Sequence, residues 1–211
     1  MHTSKSAQRP ESFHKVISAV PAFALASMLE TASPKASKIL NQIEYINIAV
    51  VSLLYDHNFL SNNSGFGYLV APSQNRPIMG VSYDSNTLPS LAPGPNHTRI
   101  AVMIGGDLTN GCPDVVKLSE QELKDIAIQT IKEDLGVSSL PIHATVSLCR
   151  NCIPQYHVGH IEKVKFITNQ LELDMPNLLI TGSAFHGISF QQCIENGFLV
   201  AKTALQQLKV L

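Results

Sequence analysis

Ile46-Asn47-Ile48-Ala49-Val50-Val51-Ser52-Leu53-Leu54 is a nearly continuous run of β-branched and aliphatic residues. A run of that kind predicts a strand buried on both faces. Downstream, Phe66 to Val70, Ile78 to Tyr83 and Arg99 to Ile104 follow at intervals that suit strands of the same sheet. Asn62-Asn63-Ser64-Gly65, Asp84-Ser85-Asn86 and the proline-rich loop from Pro89 to Asn96 lie between them, all with turn chemistry. Upstream, Val16 to Val20 is a short strand candidate that Pro21 ends, and Ala22 to Glu30 has the composition of a helix.

Beyond the sheet, the clearest helix is Ser119 to Leu135. Ser119 with Glu122 forms a capping box, and Gly136 occupies the stop position. Leu123, Ile126, Ala127, Thr130, Ile131 and Leu135 fall on one face of it. His143 to Leu148 is a further strand, followed by an irregular stretch through Pro154 and Gly159 and a helix over Ile161 to Leu171. The last unit is the strand Leu178-Leu179-Ile180-Thr181, a loop from Gly182 to Gly187, and a helix through about Gln206. Ile194, Phe198, Ala201, Leu205 and Leu208 should give that helix a buried stripe. The whole order predicts an α+β fold, an antiparallel or mixed sheet carrying helices on one side.

Composition narrows the function. The chain has 211 residues, 45% hydrophobic and 15% charged, so it should fold rather than stay disordered. A net charge of -1 gives no footprint for nucleic acid. No apolar run reaches the length of a membrane-crossing helix. Met1 to Phe13 is polar and lacks the apolar core of a secretory signal; with Lys5 and Arg9 but also Glu11, it fits a mitochondrial presequence poorly. Cys112, Cys149, Cys152 and Cys193 form no dense framework of the secreted type, and the triplets Asn62-Asn63-Ser64 and Asn96-His97-Thr98 are common by chance, so a reducing intracellular compartment is expected.

Three constellations could carry chemistry. The loop between Gly182 and Gly187 feeds a helix start, where free N–H groups and the dipole favour an anion, although the same pattern also makes a plain strand-to-helix turn. It has neither the Walker pattern nor the G-x-G-x-x-G fingerprint. Cys149 and Cys152 with His157 and His160 could form a metal or redox site, but only four residues separate Cys152 from His157 and Pro154 intervenes; two half-buried cysteines at a strand end are the plainer reading. Gly65-Phe66-Gly67-Tyr68-Leu69 and Met103-Ile104-Gly105-Gly106 place glycines inside strands, which marks either a close ligand or bulges in an ordinary core. Phe66, Leu69 and Met103 would line such a ligand with apolar surface. Asp107 with Asp114, and Glu120 with Glu122, are carboxylate pairs in turn or cap positions. No catalytic residue and no metal site is assigned.

Several of these segments occur in the order found in one family. They are Val16-Ile17-Ser18-Ala19-Val20-Pro21-Ala22, Gly65-Phe66-Gly67-Tyr68-Leu69-Val70, Met79-Gly80-Val81-Ser82-Tyr83-Asp84-Ser85 and Val102-Met103-Ile104-Gly105-Gly106. Ile153-Pro154-Gln155-Tyr156-His157-Val158-Gly159-His160, Gly182-Ser183-Ala184-Phe185-His186-Gly187-Ile188-Ser189 and Cys193-Ile194-Glu195-Asn196-Gly197 complete the series. From about Phe13 to Leu208 the chain resembles the C-terminal part of the oxygen-dependent protoporphyrinogen oxidases, within the flavin amine-oxidase superfamily.

The resemblance implies a flavin amine-oxidase-like fold with FAD as cofactor. It implies a polar tail over residues 1–13, a substrate-domain-like portion over 14–147 and a flavin-contacting portion over 148–211. Gly187, Ile188 and Ser189 match the terminal loop that touches the flavin, and Leu148 matches a flavin-contacting position near the ring. Phe66, Leu69 and Met103 match residues lining the porphyrinogen pocket. Around Cys149 the chain departs from relatives that carry an aromatic residue there. The family's dinucleotide-binding half, with its G-x-G-x-x-G and the basic partner of a substrate propionate, has no counterpart in this sequence, so a fragment with little activity of its own is expected. The implied reaction oxidises protoporphyrinogen IX stepwise through FAD, with dioxygen reoxidising the flavin and hydrogen peroxide released. The implied setting is peripheral attachment to the mitochondrial inner membrane, with a second copy of the chain as partner. A different flavin amine-oxidase-type oxidoreductase and a non-catalytic porphyrin-binding or interaction module are the rival readings.

Overall fold

A computed structural model describes residues 12–61, 63, 65–106 and 111–209. The polar tail up to Glu11, Asn62 and Ser64 of one triplet, and Asp107 lie outside the described residues. In chain order the elements are β1 (Val16–Ser18), α1 (Ala22–Leu29), α2 (Pro34–Leu40), β2 (Tyr45–Tyr55), β3 (Gly67–Leu69), β4 (Ile78–Ser82), α3 (Asp84–Thr87), β5 (Thr98–Gly105), α4 (Glu120–Leu135), β6 (His143–Pro154), α5 (His160–Asp174), β7 (Leu178–Ile180) and α6 (Phe190–Gln207). They fall into two compact units, one of Tyr45–Ile153 and one of Met1–Glu44 with Pro154–Leu211.

The unit 45–153 is built on a five-stranded sheet in the order β3-β4-β5-β2-β6. β2 pairs antiparallel with β5 from Ile48↔Gly105 to Tyr55↔Thr98, and β5 with β4 from Ile78↔Ile104 to Ser82↔Ala101. α4 packs against β2 and β5. Leu123, Ala127 and Ile131 of α4 are buried against Ala49, Val51, Leu53, Ile100, Val102 and Ile104 of the sheet. Ser119 accepts from the Glu122 N–H while the Glu122 carboxylate accepts from the Ser119 N–H, and Gly136 ends the helix in the left-handed region. Two N-terminal donors are thereby satisfied at one end and the chain is turned at the other.

β2 is not buried on both faces as its composition suggests. Ala49, Val51, Leu53 and Tyr55 are buried while Val50, Ser52 and Leu54 are half-buried, so burial alternates along the strand. α4 covers one face, and the apolar residues of the other face lie in a sheet that presents that face outward from this unit. β6 also runs further than expected, through to Pro154. Asn151 takes a left-handed φ of 46° and its N–H bonds to the Asn47 side chain at 2.8 Å, which carries the strand through the stretch that looked irregular.

The second unit joins sequence-distant segments. β1 pairs in parallel with β7 (Val16↔Leu178 to Ser18↔Ile180), and α2 packs on α5. This pairing explains why the sequence-based division into residues 14–147 and 148–211 differs from the structure: the N-terminal strand belongs with the C-terminal one. Ser33 donates to Asp174 at 2.6 Å, and Ser37 donates to the Ala26 carbonyl at 2.8 Å, tying α2 to α5 and α1. The predicted stripe of α6 is a second departure. Ala204 is the buried residue of that helix, whereas Phe198 is 74% exposed and Ile194 and Leu205 are exposed as well. Within its unit α6 packs on the three-residue β7, which is too small to cover an 18-residue helix.

Candidate functional site

In the unit 45–153, alternation decides which side chains face away from α4. The Tyr68 hydroxyl bonds to Asp134 of α4, so Leu69 points to the opposite face. Met103 lies between Val102 and Ile104, both fully buried against α4, and therefore also faces away. Register then places them together: Leu69 is opposite Gly80, Gly80 opposite Met103, and Met103 opposite Val50. Two strand spacings put Leu69 and Met103 about 10 Å apart in one row. Phe66 precedes the same edge strand, its carbonyl accepting from the Tyr83 N–H at 2.9 Å. Phe66 and Leu69 are 80% and 82% exposed.

The row depends on a bulge. Ile78 is opposite Ile104 while Gly80 is opposite Met103, so Met79 is an extra residue in β4. That extra residue lets Ile78 and Val81, three apart, both face the core. A side chain at Gly67 would overlap the Val81 carbonyl, and one at Gly80 the Tyr68 carbonyl. These glycines therefore serve close backbone approach between β3 and β4 rather than a ligand. Gly105 and Gly106 likewise abut the Asn47 carbonyl with Val115, and the Met79 sulfur. A cavity of about 240 Å³ opens beside this row, lined by Leu69, Ile78, Met79, Gly105, Arg76 and Cys112. That is below the range of pockets that enclose a drug-sized ligand, and a second cavity of about 520 Å³ lies on the other side of Leu69, lined by Tyr68, Arg76, Tyr83 and Asp134.

On the α4 side, Asp134 is held from two directions. Its Oδ1 accepts from Arg76 at 2.6 Å and its Oδ2 from the Tyr68 hydroxyl. Burial, then the bond to Asp134, pushes the Tyr68 phenol well above its usual range. Burial alone raises Tyr55 to about 12. Leu148 is half-buried and packs against the core cluster on this same side.

In the other unit, the parallel strands β1 and β7 both end at the loop that begins with Gly182. The carboxyl ends of parallel strands are where open α/β sheets bind ligands. Thr181, 8% exposed, has a buried hydroxyl oxygen without a hydrogen-bond partner, as does the Nε2 atom of His160. The Gly187 N–H, in the loop that reads either as an anion site or as a plain strand-to-helix turn, donates to the Tyr156 hydroxyl at 2.8 Å. The Ser189 N–H donates to Gln192 Oε1 at 3.2 Å, and the Gln192 N–H returns to Ser189 Oγ at 3.2 Å. The α6 start is thus closed by its own capping box, which leaves a poor grip for a phosphate. The S-x-x-Q spacing of Ser189 and Gln192 was readable in the sequence. Ile188, between the two engaged amides, is exposed.

The cysteine–histidine grouping does not assemble. Cys149 and Cys152 belong to one unit, whereas His157 and His160 belong to the other. Among the described residues no three metal-ligating side chains come together. His157 bonds to Glu44 at 3.2 Å, and His160 stacks on Tyr156. Burial, with Cys149 adding to it, raises the Cys152 thiol, which disfavours the reactive thiolate.

A family model described as flavin containing amine oxidoreductase matches residues 2–205. The chain belongs to that family. Among its flavin oxidoreductase relatives, the protoporphyrinogen oxidase of Macaca fascicularis is 33% identical over 195 residues, covering 90% of this chain and 40% of the relative. The coproporphyrinogen III oxidase of Bacillus subtilis is 26% identical, covering 92% of this chain and 40% of its own length. A crystal structure from Exiguobacterium, assigned as a protoporphyrinogen oxidase, superposes with a TM-score of 0.73 at 20% identity, covering 91% of this chain and 41% of that one. The chain therefore has the flavin amine-oxidase fold and spans about 40% of the length of the curated relatives it matches. For the family's flavin, the residues present fit a side contact, an unpartnered Thr181 hydroxyl and, seven residues on, an exposed Ile188, while the N–H groups of Gly187, Ser189 and Gln192 are already engaged and leave none of the three for the pyrophosphate.

Proposed function

We propose that this chain is the substrate-wall and flavin-edge portion of a porphyrinogen oxidase, working with a dinucleotide-binding portion that its sequence does not contain. The observation that carries this reading is the row Leu69, Gly80, Met103 and Val50 on the face turned from α4. Large and pliable side chains flank a glycine there, a flat apolar floor suited to a macrocycle. The names of the relatives support a porphyrinogen as the substrate. In this reading Phe66, Leu69 and Met103 contact the macrocycle and exclude water from it. Thr181, Ile188 and Ser189 meet the flavin at its edge, and Gly187 keeps the loop close to it; Leu148, packed into the core on the α4 side of the sheet, is left out of this contact. A bound flavin supplies the two-electron oxidation, and dioxygen is the proposed final acceptor. The chain's own side chains provide placement.

Titration of the purified chain with protoporphyrin IX, read by porphyrin fluorescence, tests this. Binding should saturate, and Leu69→Arg and Met103→Arg should each weaken it at least tenfold. Coproporphyrin in a parallel titration shows which tetrapyrrole the wall prefers. Unchanged binding in both variants would remove the sheet face from the site.

A further inference from the structure

The Tyr156 hydroxyl touches both ends of the loop that follows β7. It donates to the Ser183 carbonyl at 2.6 Å and accepts from the Gly187 N–H at 2.8 Å. A phenol has one proton to give and lone pairs to accept with, so both bonds hold at once. The ring is fixed as well, stacked on His160 with centroids 3.8 Å apart and planes 13° from parallel. His160 is only 7% exposed and opens α5. The residue before Tyr156 is anchored too, because the Gln155 N–H donates to the Glu44 carbonyl at 2.8 Å. A tie therefore runs from the loop, through one side chain, into α5. Tyr156 is 42% exposed, and its ring stack and its two hydroxyl bonds can be separated by a substitution that removes the hydroxyl alone.

We propose that Tyr156 is a positioning residue for the flavin-contacting loop. Its hydroxyl sets the span from Ser183 to Gly187 and so presents Ile188 and the capped start of α6 in one arrangement. The flavin half of this statement rests on the function proposed above; the clamp itself rests on the two bonds. Order in the loop before ligand arrives lowers the conformational cost of binding.

The test is the Tyr156→Phe chain, which keeps the ring and its stack and loses the hydroxyl. Amide exchange by NMR should show the Gly187 N–H exchanging at least tenfold faster, while Ala127 in α4 is unchanged and the far-UV dichroism matches wild type. FAD titrated into each protein should shift the Ile188 and Ser189 amides, with a dissociation constant at least tenfold larger for the variant. Unchanged Gly187 exchange would overturn the clamp. Faster exchange with equal FAD dissociation constants would overturn the positioning role. Absence of FAD shifts in both proteins would sink the flavin reading of the loop, while faster Gly187 exchange would still uphold the clamp.

Discussion

Residues 45–153 close five antiparallel strands over α4, and Val51, Leu53, Val102, Ile104 and Ile131 are all fully buried. The unit of 12–44 and 154–209 has a two-stranded parallel sheet, and its longest helix leaves Phe190, Phe198 and Leu199 exposed. Parallel strands are normally covered on both faces and belong to larger sheets, and two strands alone are marginal in water. The two units differ in how much sheet supports them. One is a platform of five strands, with Phe66 and Leu69 exposed at the β3 edge beside the row that runs through Gly80 to Met103. The other has two, with buried polar atoms of Thr181, just past β7, and His160, at the start of α5, left without a hydrogen-bond partner.

Perturbing the platform should cost most. Ile131→Ala empties a fully buried site and should lower stability by about 2–5 kcal/mol in urea unfolding. A loss below about 0.5 kcal/mol would mean the core is not organised around α4. Tyr68→Phe removes a hydrogen bond to a carboxylate and should cost about 1.5 kcal/mol in the same assay. The two capping boxes make a matched pair one step smaller. Ser119→Ala and Ser189→Ala should each cost about 1 kcal/mol of local helix stability. Only the first should move the melting of the platform. Equal effects on that transition would merge the two units into one cooperative body.

A pH effect distinguishes the second unit. Burial is the main cause that lowers His160 from the ordinary value of 6.5. The folded state then refuses a proton that the unfolded chain accepts, so stability is present above pH 6.5 and is lost as pH falls below it. Thermal melts at pH 7 and pH 5 should show this loss in wild type and a flatter dependence in His160→Asn. Identical slopes would show that His160 is not titrating out of the fold. The smallest effect is expected at Phe198→Ser, within about 0.5 kcal/mol, because that side chain buries little here. A large destabilisation would show that α6 is already covered.

Local chemistry made much of the platform legible. The α4 capping box, the Gly136 stop and the β-branched content of β2 and β5 are signals written within a few residues, and the structure has them at nearly the expected bounds. α2 was missed because seven residues starting at Pro34 offer less than two turns of periodicity. The β1–β7 pairing joins residues about 160 positions apart, and no local pattern announces it. The burial of the α6 stripe failed for a related reason: periodicity shows which face of a helix is apolar, not whether a surface exists to meet it. At the site, the family resemblance singled out Leu69 and Met103, yet their common row follows from the Met79 bulge and the strand register. Tyr156 stood in a recognised segment without a role, since its partners Ser183 and Gly187 lie some thirty residues on.

Hydrogen-exchange mass spectrometry on the intact chain tests the contrast between the five-stranded and two-stranded units most directly. Peptides from β2, β5 and α4 should exchange only through global unfolding, and those from β7 and α6 on the order of 100-fold faster. Equal protection across both sets would contradict the account, because it would show the parallel pair and α6 to be as fully supported as the five-stranded sheet.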